Sequence, residues 1–365
     1  MRLACVLDIE GVVVPAGIDF AFFLVEYLSR LRPASRSSIM QKVKLYDEYD
    51  DARWKLEYLY SGCSSYQTGT TPLYVLLLCA GHSLCEHDVL RAGQVLAETC
   101  HRLGLVIDLR RLYSVYDEIY LASSSYHAFA LKIAEHAGVS MDHVMALGHV
   151  ESETPELIVK ELLRRGSRSE ILNSCTLLYY VAKNLLTCGG SSKLHDMLLR
   201  TALASLRNSK LSRYLFSKFV QQSNIAGSRA KAQLVSNLRR KNYTVIFVGD
   251  SIVDVEAALH ANISIALNPS SNLLLHASTF TVLVQDQSRL VDLLEEIALS
   301  RDLSSLRERA RRLGLELYSK SEVSTNISFI ELRAREIRET LKIRSREASK
   351  KALSDLTGIV EISKY

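Results

Sequence analysis

The chain has 365 residues, room for two or three domains, and its 48% hydrophobic and 23% charged residues make an ordinary globular balance. No uncharged apolar run reaches the roughly 18 residues a spanning helix needs, and Asp8 and Glu10 interrupt the apolar stretch a secretory leader would require. The net charge of +5 is carried by residues 301–365, with 15 Lys/Arg against 10 Asp/Glu. The rest is near neutral and is not expected to bind nucleic acid, so the tail is the basic candidate. Seven scattered cysteines, an odd number, fit reduced thiols in a cytoplasmic protein better than a disulfide frame.

In chain order, Leu3–Leu7 is an apolar run closed by Asp8-Ile9-Glu10-Gly11 and Val12-Val13-Val14-Pro15. Such a run bounded by Gly and Pro reads as a buried parallel strand. Its two carboxylates then stand at the C-terminal edge, where α/β sheets bind ligands. Alone, DxEG fits an acidic surface turn equally well. Residues 18–32, 36–62, 73–80 and 87–103 read as helices, with a break at Gly62 and over Ser64–Pro72. Ile119–Ala122 is a short strand ending in Ser123-Ser124-Ser125, followed by a helix to His136 and a further strand over 143–147 closed by Gly148. Residues 151–223 read as helical, interrupted at Gly189-Gly190. Gly227 opens a helix through Lys231. Thr244–Val248 is the second strong strand and ends in Gly249-Asp250-Ser251-Ile252-Val253-Asp254. Strands over 263–267 and 280–284 and a helix over 290–299 complete the alternation. Strand–helix alternation argues a parallel α/β sheet. The two helical inserts, roughly 85 and 75 residues, are too long for loops and should be separate modules.

These strand ends bring together Asp8, Glu10, Ser123, Lys231, Asp250 and Asp254 at one sheet edge. Oxygen ligands with room for water suit Mg²⁺, and a hydroxyl and an ammonium suit phosphate oxygens. The four motifs DIEGVVVP (8–15), YLASSS (120–125), GSRAK (227–231) and GDSIVD (249–254) resemble, in this order, the haloacid dehalogenase superfamily of phosphatases. The resemblance implies a Rossmann-like parallel-sheet core at 1–17, 108–150 and 225–300. It further implies a helical C1 cap at 18–107 and a second, mainly helical insertion at 151–224, with 301–365 left as a charged helical extension. Asp8 would be the nucleophile that forms an aspartyl-phosphate, and Glu10 the general acid/base at a position where the family usually has Asp. Ser123, or alternatively Ser124, would hold the phosphoryl group, and Lys231 would neutralise its charge. Asp250 would ligate Mg²⁺ with Asp8 and the Glu10 carbonyl, and Asp254 would support that shell. DxEG also resembles phosphoserine-phosphatase-like members. YDEYDD followed by GTTPL resembles, more loosely, archaeal members described as energy-converting hydrogenase subunit R-like. The expected substrate is a small phosphorylated metabolite. A non-catalytic scaffold of the same fold and a phosphotransferase stand as alternatives.

Four features have blander readings. Cys79, His82, Cys85 and His87 have spacing that rotates off one helix face, which disfavours a zinc site. Tyr46–Asp51 (YDEYDD) could meet a cationic group but reads as a solvated helix face with tyrosines packed inward. Asn268 at a strand end reads as turn chemistry. The tail reads as a solvated helical hairpin.

Overall fold

The computed structural model describes residues 2–61, 68–147, 155–188, 192–207, 209–221, 227–300 and 305–362; the expected breaks at Gly62, Gly148 and Gly189-Gly190 lie outside them. Within these residues one seven-stranded sheet forms, from β1 (Arg2–Leu7), β2 (Glu118–Tyr126), β3 (Val144–Leu147), β4 (Tyr243–Gly249), β5 (Ile263–Leu267), β6 (Phe280–Leu283) and β7 (Glu316–Ser319). Their order is β3-β2-β1-β4-β5-β6-β7. All neighbouring strands run parallel except the β6–β7 pair.

The apolar run at the N-terminus forms the central strand because both of its faces are covered. Cys5 and Leu7 join one apolar cluster, while Ala4 and Val6 join another on the opposite face. The sheet order reverses at β1, flanked by β2 and β4, which is where α/β sheets open a crevice. Register then decides what lines it. Leu7 pairs with Leu121 on one side and Val248 on the other, so Asp8, the end of β2 and Asp250 leave the sheet at the same edge. The sheet is longer there than the sequence suggests. β2 continues through the three serines to Tyr126, which pairs with Leu147 after a shift in register.

Helices Phe20–Leu31, Arg36–Ser61, Thr71–Gly81 and Glu86–Arg102 lie between β1 and β2. Helices Pro155–Arg165, Arg168–Cys188, Ser192–Ala204 and Ser209–Phe216 lie between β3 and β4. They do not behave as separate modules, since both sets share one apolar cluster with the sheet. The reason lies in Thr71–Gly81, a helix buried at every position, which needs cover on all sides. The second set supplies part of it. The Tyr74 hydroxyl donates to the Cys175 carbonyl at 3.0 Å, and Arg168 Nε donates to the Gly81 carbonyl at 3.0 Å.

The tail departs furthest from its sequence reading. In place of a solvated hairpin it forms a short helix, Leu306–Arg312, then β7 and one long helix, Lys320–Ile362, bent at Asn326. Val323, Ile330, Ala334, Ile337 and Leu341 recur at helical spacing and pack on Ala16, Leu275 and Leu283. Further along, Ala348, Ala352, Leu353 and Leu356 enter the main cluster, and Arg102 of the first helical set pairs with Asp355 at 2.8 Å. Most of the charge of this helix is exposed, Arg338 and Lys342 being among the exceptions, which is why composition hides the buried stripe.

Truncating a side chain in that stripe tests the packing. Ile337→Ala should lower the unfolding free energy by about 2–5 kcal/mol, read from the denaturant midpoint. An unchanged midpoint would mean the helix is not part of the core.

Candidate active site

Asp8 follows β1 directly, and its backbone N–H donates to the Val248 carbonyl at 2.9 Å, extending the pairing with β4 by one residue. Its Oδ1 accepts from the Ile9 N–H at 2.7 Å and its Oδ2 meets Lys231 Nζ at 2.7 Å. Lys231 stands in the first turn of the helix Ser228–Arg240, for which Gly227 is the N-cap. Its ammonium is fully buried and also meets Asp254 Oδ1 at 2.7 Å. The second Asp254 oxygen accepts from the Asp250 and Ser251 N–H groups at 3.0 and 3.1 Å and from the Ser251 hydroxyl at 3.2 Å. Asp254 is therefore spent on holding Lys231 and the turn that carries Asp250.

Two glycines allow this closeness. Gly11 has φ +88°, and a Cβ there would stand 2.3 Å from Asp250 Oδ2. A Cβ on Gly249 would stand 2.4 Å from the Asp254 carboxyl carbon. Gly11 thus makes room for a carboxylate of the neighbouring loop, and Gly249 for the Asp254 carboxylate of its own turn.

Oxygens of Asp8, Asp250 and Asp254 lie within 4.8 Å of one another. Burial, then Asp254, pushes the Asp8 carboxyl well above the usual range, against the pull of Lys231. Burial also raises Asp250, against the pull of Arg338. Burial alone would lower Lys231, but Asp254 and Asp8 outweigh it and hold the ammonium above its ordinary range. The ionised carboxylates are thus short of counter-charge. The donor set, hard oxygens with an excess of negative charge, fits a divalent cation such as Mg²⁺ held by Asp8 and Asp250. The Glu10 carboxylate is not in this cluster. Among the described residues, Cys79, His82, Cys85 and His87 form no such group either.

Glu10 turns toward the first helix after β1. Its Oε1 accepts from the Phe20 N–H at 2.9 Å, beside Asp19, which caps the same helix through Phe22 N–H. Burial first, then the charge of Asp19, raises the Glu10 carboxyl well above its usual range, with the Phe20 N–H opposing. Asp8, Glu10 and Asp250 line one cavity of about 500 Å³. Ser124 and Ser125 line it too, whereas Ser123, the first choice from the sequence, does not. The Ser123 hydroxyl instead accepts from the Ser125 N–H at 3.1 Å. The strand ends three residues beyond Ser123, so the residues reaching the cavity are the later ones. Ser125 is a site residue that sequence reading missed.

YDEYDD meets its two readings halfway. Tyr46 and Tyr49 are buried as expected and Glu48 is exposed, but Asp47, Asp50 and Asp51 are turned inward. Asp50 is buried and accepts from the N–H groups of Gly69 and Thr70 at 2.8 and 2.9 Å, while Asp47 accepts from the Thr71 hydroxyl at 2.9 Å. These bonds seat GTTPL over the cavity, and Asp47 and Asp51 join its wall. Burial, then Asp51 and Asp19, pushes the Asp47 carboxyl up to about 8, and burial with Asp50 pushes Asp51 up to about 7.

Arg338, from the long C-terminal helix, completes the site, and nothing in the sequence pointed to it. Its Nη1 meets Asp250 Oδ2 at 2.5 Å and the Asn268 carbonyl at 3.2 Å. Asn268 itself does turn chemistry, with φ +41° and its side chain bonded to both backbone groups of Val284.

Compared with other proteins, the chain is similar in structure to the gene product AF1437 from Archaeoglobus fulgidus. That likeness has a TM-score of 0.60 and 17% sequence identity, and it covers 94% of this chain and 97% of the other. It shows the fold alone, an α/β architecture shared over nearly the whole length. No family model matches the chain, and no curated protein does. None of the described helices is long and apolar enough to cross a membrane.

Two substitutions test the electrostatics. Lys231→Met leaves Asp8 and Asp254 facing each other without their cation, and should cost about 3–5 kcal/mol in unfolding free energy at neutral pH. A loss below 1 kcal/mol, on the order of an exposed pair, would contradict the buried geometry. Asp47 has a folded-state pKa above its unfolded value of about 4, so its ionisation costs stability that grows as pH rises from about 4 to 8. Asp47→Asn removes that cost while its amide oxygen can still accept from Thr71. The variant should therefore gain on the wild type steadily across that window in melts at fixed pH, with no gain below it.

Proposed function

We propose that the chain is a phosphatase of the haloacid dehalogenase type, acting on a small phosphomonoester with Mg²⁺ as its cofactor. One observation carries the reading. A carboxylate at the end of the central strand sits against a fully buried lysine and beside a second strand-end carboxylate, and the two carboxylates open on one cavity. That is the equipment for phosphoryl transfer through a covalent carboxyl phosphate. The residues matched are those the motifs single out, with Ser124 and Ser125 taking the place of Ser123. The four helices between β1 and β2 act as the cap.

In this reading Asp8 attacks phosphorus, and the bond from phosphorus to the leaving oxygen breaks. Glu10, whose surroundings favour its protonated form, gives its proton to that oxygen. Glu10 then takes a proton from water, the water oxygen attacks the phosphorus of the aspartyl-phosphate, and Asp8 is released. Lys231 offsets the charge that builds on Asp8 and the phosphoryl oxygens. Ser124 and Ser125 offer hydroxyls to the same oxygens. Asp8 and Asp250 would hold the metal, which when bound would supply electrophilic stabilisation of phosphoryl charge. Asp254 acts from behind, fixing Lys231 and the Asp250 turn. The cap seats Asp50 and Gly69–Thr71 over the cavity and limits water entry.

The alternative of a scaffold would be favoured by a site filled by the second helical set. None of the described residues between 155 and 221 lines the cavity. A phosphotransferase would use the same groups, with another acceptor in place of water.

Asp8→Asn keeps the side-chain shape and removes the nucleophile. It should lower Mg²⁺-dependent hydrolysis of p-nitrophenyl phosphate by about 10³-fold or more, with an unchanged circular dichroism spectrum. Equal Mg²⁺-dependent rates in wild type and variant would refute the mechanism.

A further inference from the structure

We propose that Arg338 is the resident counter-cation of the Asp250 carboxylate, displaced when a divalent cation takes that carboxylate, so that the C-terminal helix sets the metal affinity of the site. This rests on the metal-site reading of Asp8 and Asp250 given above.

The contact is built into the fold. The helix Lys320–Ile362 is fixed on the loop that follows the DIEG turn: the Ser345 hydroxyl donates to the Ala16 carbonyl at 3.0 Å, and Ile337 and Leu341 pack beside Ala16. A Cβ on Gly17, whose φ is +97°, would stand 2.8 Å from Lys342 Cγ, so the loop and the helix touch at van der Waals distance. Residues 334, 337, 338, 341, 342 and 345 share one side of the helix, so the packing that buries Ile337 also aims Arg338 at the sheet edge. The side chain of Arg338 is 18% exposed and lines the same cavity as Asp8.

Only one oxygen of Asp250 carries the guanidinium, and the second protein acceptor is a neutral carbonyl. Charge explains why an arginine is tolerated and why it can be displaced. Among the described residues, Asp8, Asp250 and Asp254 are paired with Lys231 alone unless Arg338 is counted. A buried carboxylate in this excess needs a cation. A divalent ion that takes Asp250 supplies that charge more compactly and leaves Arg338 competing for an acceptor already neutralised. An opposite charge this close changes the affinity of a carboxylate for a cation by about tenfold or more. The helix is held by apolar contacts on both sides of Arg338, so release of the guanidinium does not require the helix to leave.

The test is Mn²⁺ binding to the full-length chain, read by calorimetry and by the electron paramagnetic resonance signal of free Mn²⁺, without substrate. Wild type, Arg338→Met, Arg338→Lys and Asp250→Asn are compared after thermal melts show that each is folded. Arg338→Met should bind Mn²⁺ about tenfold more tightly than wild type, Arg338→Lys should stay near wild type, and Asp250→Asn should bind weakly or not at all. Equal affinity in wild type and Arg338→Met overturns the proposal and leaves the metal-site reading standing. Weaker binding in Arg338→Met also overturns it, because Arg338 would then be orienting Asp250 for the metal. Absence of Mn²⁺ binding in wild type and Arg338→Met alike overturns both. If Arg338→Met does not fold, Arg338→Gln takes its place under the same criteria.

Discussion

A buried ammonium held between two carboxylates governs the geometry of the sheet edge. Lys231 is fully removed from solvent and within 2.7 Å of both Asp8 and Asp254. A charge so placed costs several kcal/mol in desolvation unless its partners are fixed, about what its attraction to them returns. The surrounding backbone meets that condition. Asp254 is pinned by two N–H groups and a hydroxyl, and Asp8 by the N–H of Ile9; the close approach of the two loops is possible because position 11 lacks a side chain, and Asp254 folds back on its own turn because position 249 does. The triad therefore couples three chain segments far apart in sequence, and each can be placed only when the other two are.

The strand-end carboxylates were legible because each is announced locally, whereas Lys231, a weak signal by itself, was legible only in combination with them. An apolar run followed abruptly by Asp, with a glycine next to it, marks a strand leaving a covered sheet. The parallel alternation then places such ends together without knowledge of any contact. Ser123 shows where this logic loses resolution. The end of β2 was read from where apolar residues stop, but hydroxyl side chains can continue a strand when the backbone still pairs, as it does to Tyr126. An error of one or two residues then selects a different serine. The acids of YDEYDD failed differently. Their helical spacing is that of a solvated face, and only the loop 68–70, folded back by tertiary contact, gives Asp50 its donors.

The C-terminal helix was illegible for a stronger reason. Its sequence is dominated by charge, and its buried stripe is narrow, made of Ile330, Ala334, Ile337 and Leu341 with small residues such as Ser345 between charged neighbours. Local pattern gives the helix but not the surface it meets. That surface is assembled from Ala16 in the loop after β1, Leu275 in the helix Asn272–Ala277 and Leu283 at the end of β6. Arg338 is consequently a residue whose position depends on every strand order and register in the sheet, and no local signal could announce it.

Glu10 draws these strands of argument together. In place of the shorter acid expected from the motif resemblance, the longer side chain carries its carboxylate to the N-terminus of the helix Phe20–Leu31, where the Phe20 N–H meets it. A helix N-terminus favours the ionised carboxylate. Burial and Asp19 favour the protonated one, and they prevail. One residue therefore links the first helix after β1 to the strand that carries Asp8, at a cavity wall where burial raises its proton affinity. Moving that helix would change the proton affinity of Glu10, and changing Glu10 would loosen the helix. The hydrogen bond to Phe20 thus ties the extra methylene at position 10 to the way the first helix sits on the sheet, while burial and Asp19 dominate the proton affinity of Glu10.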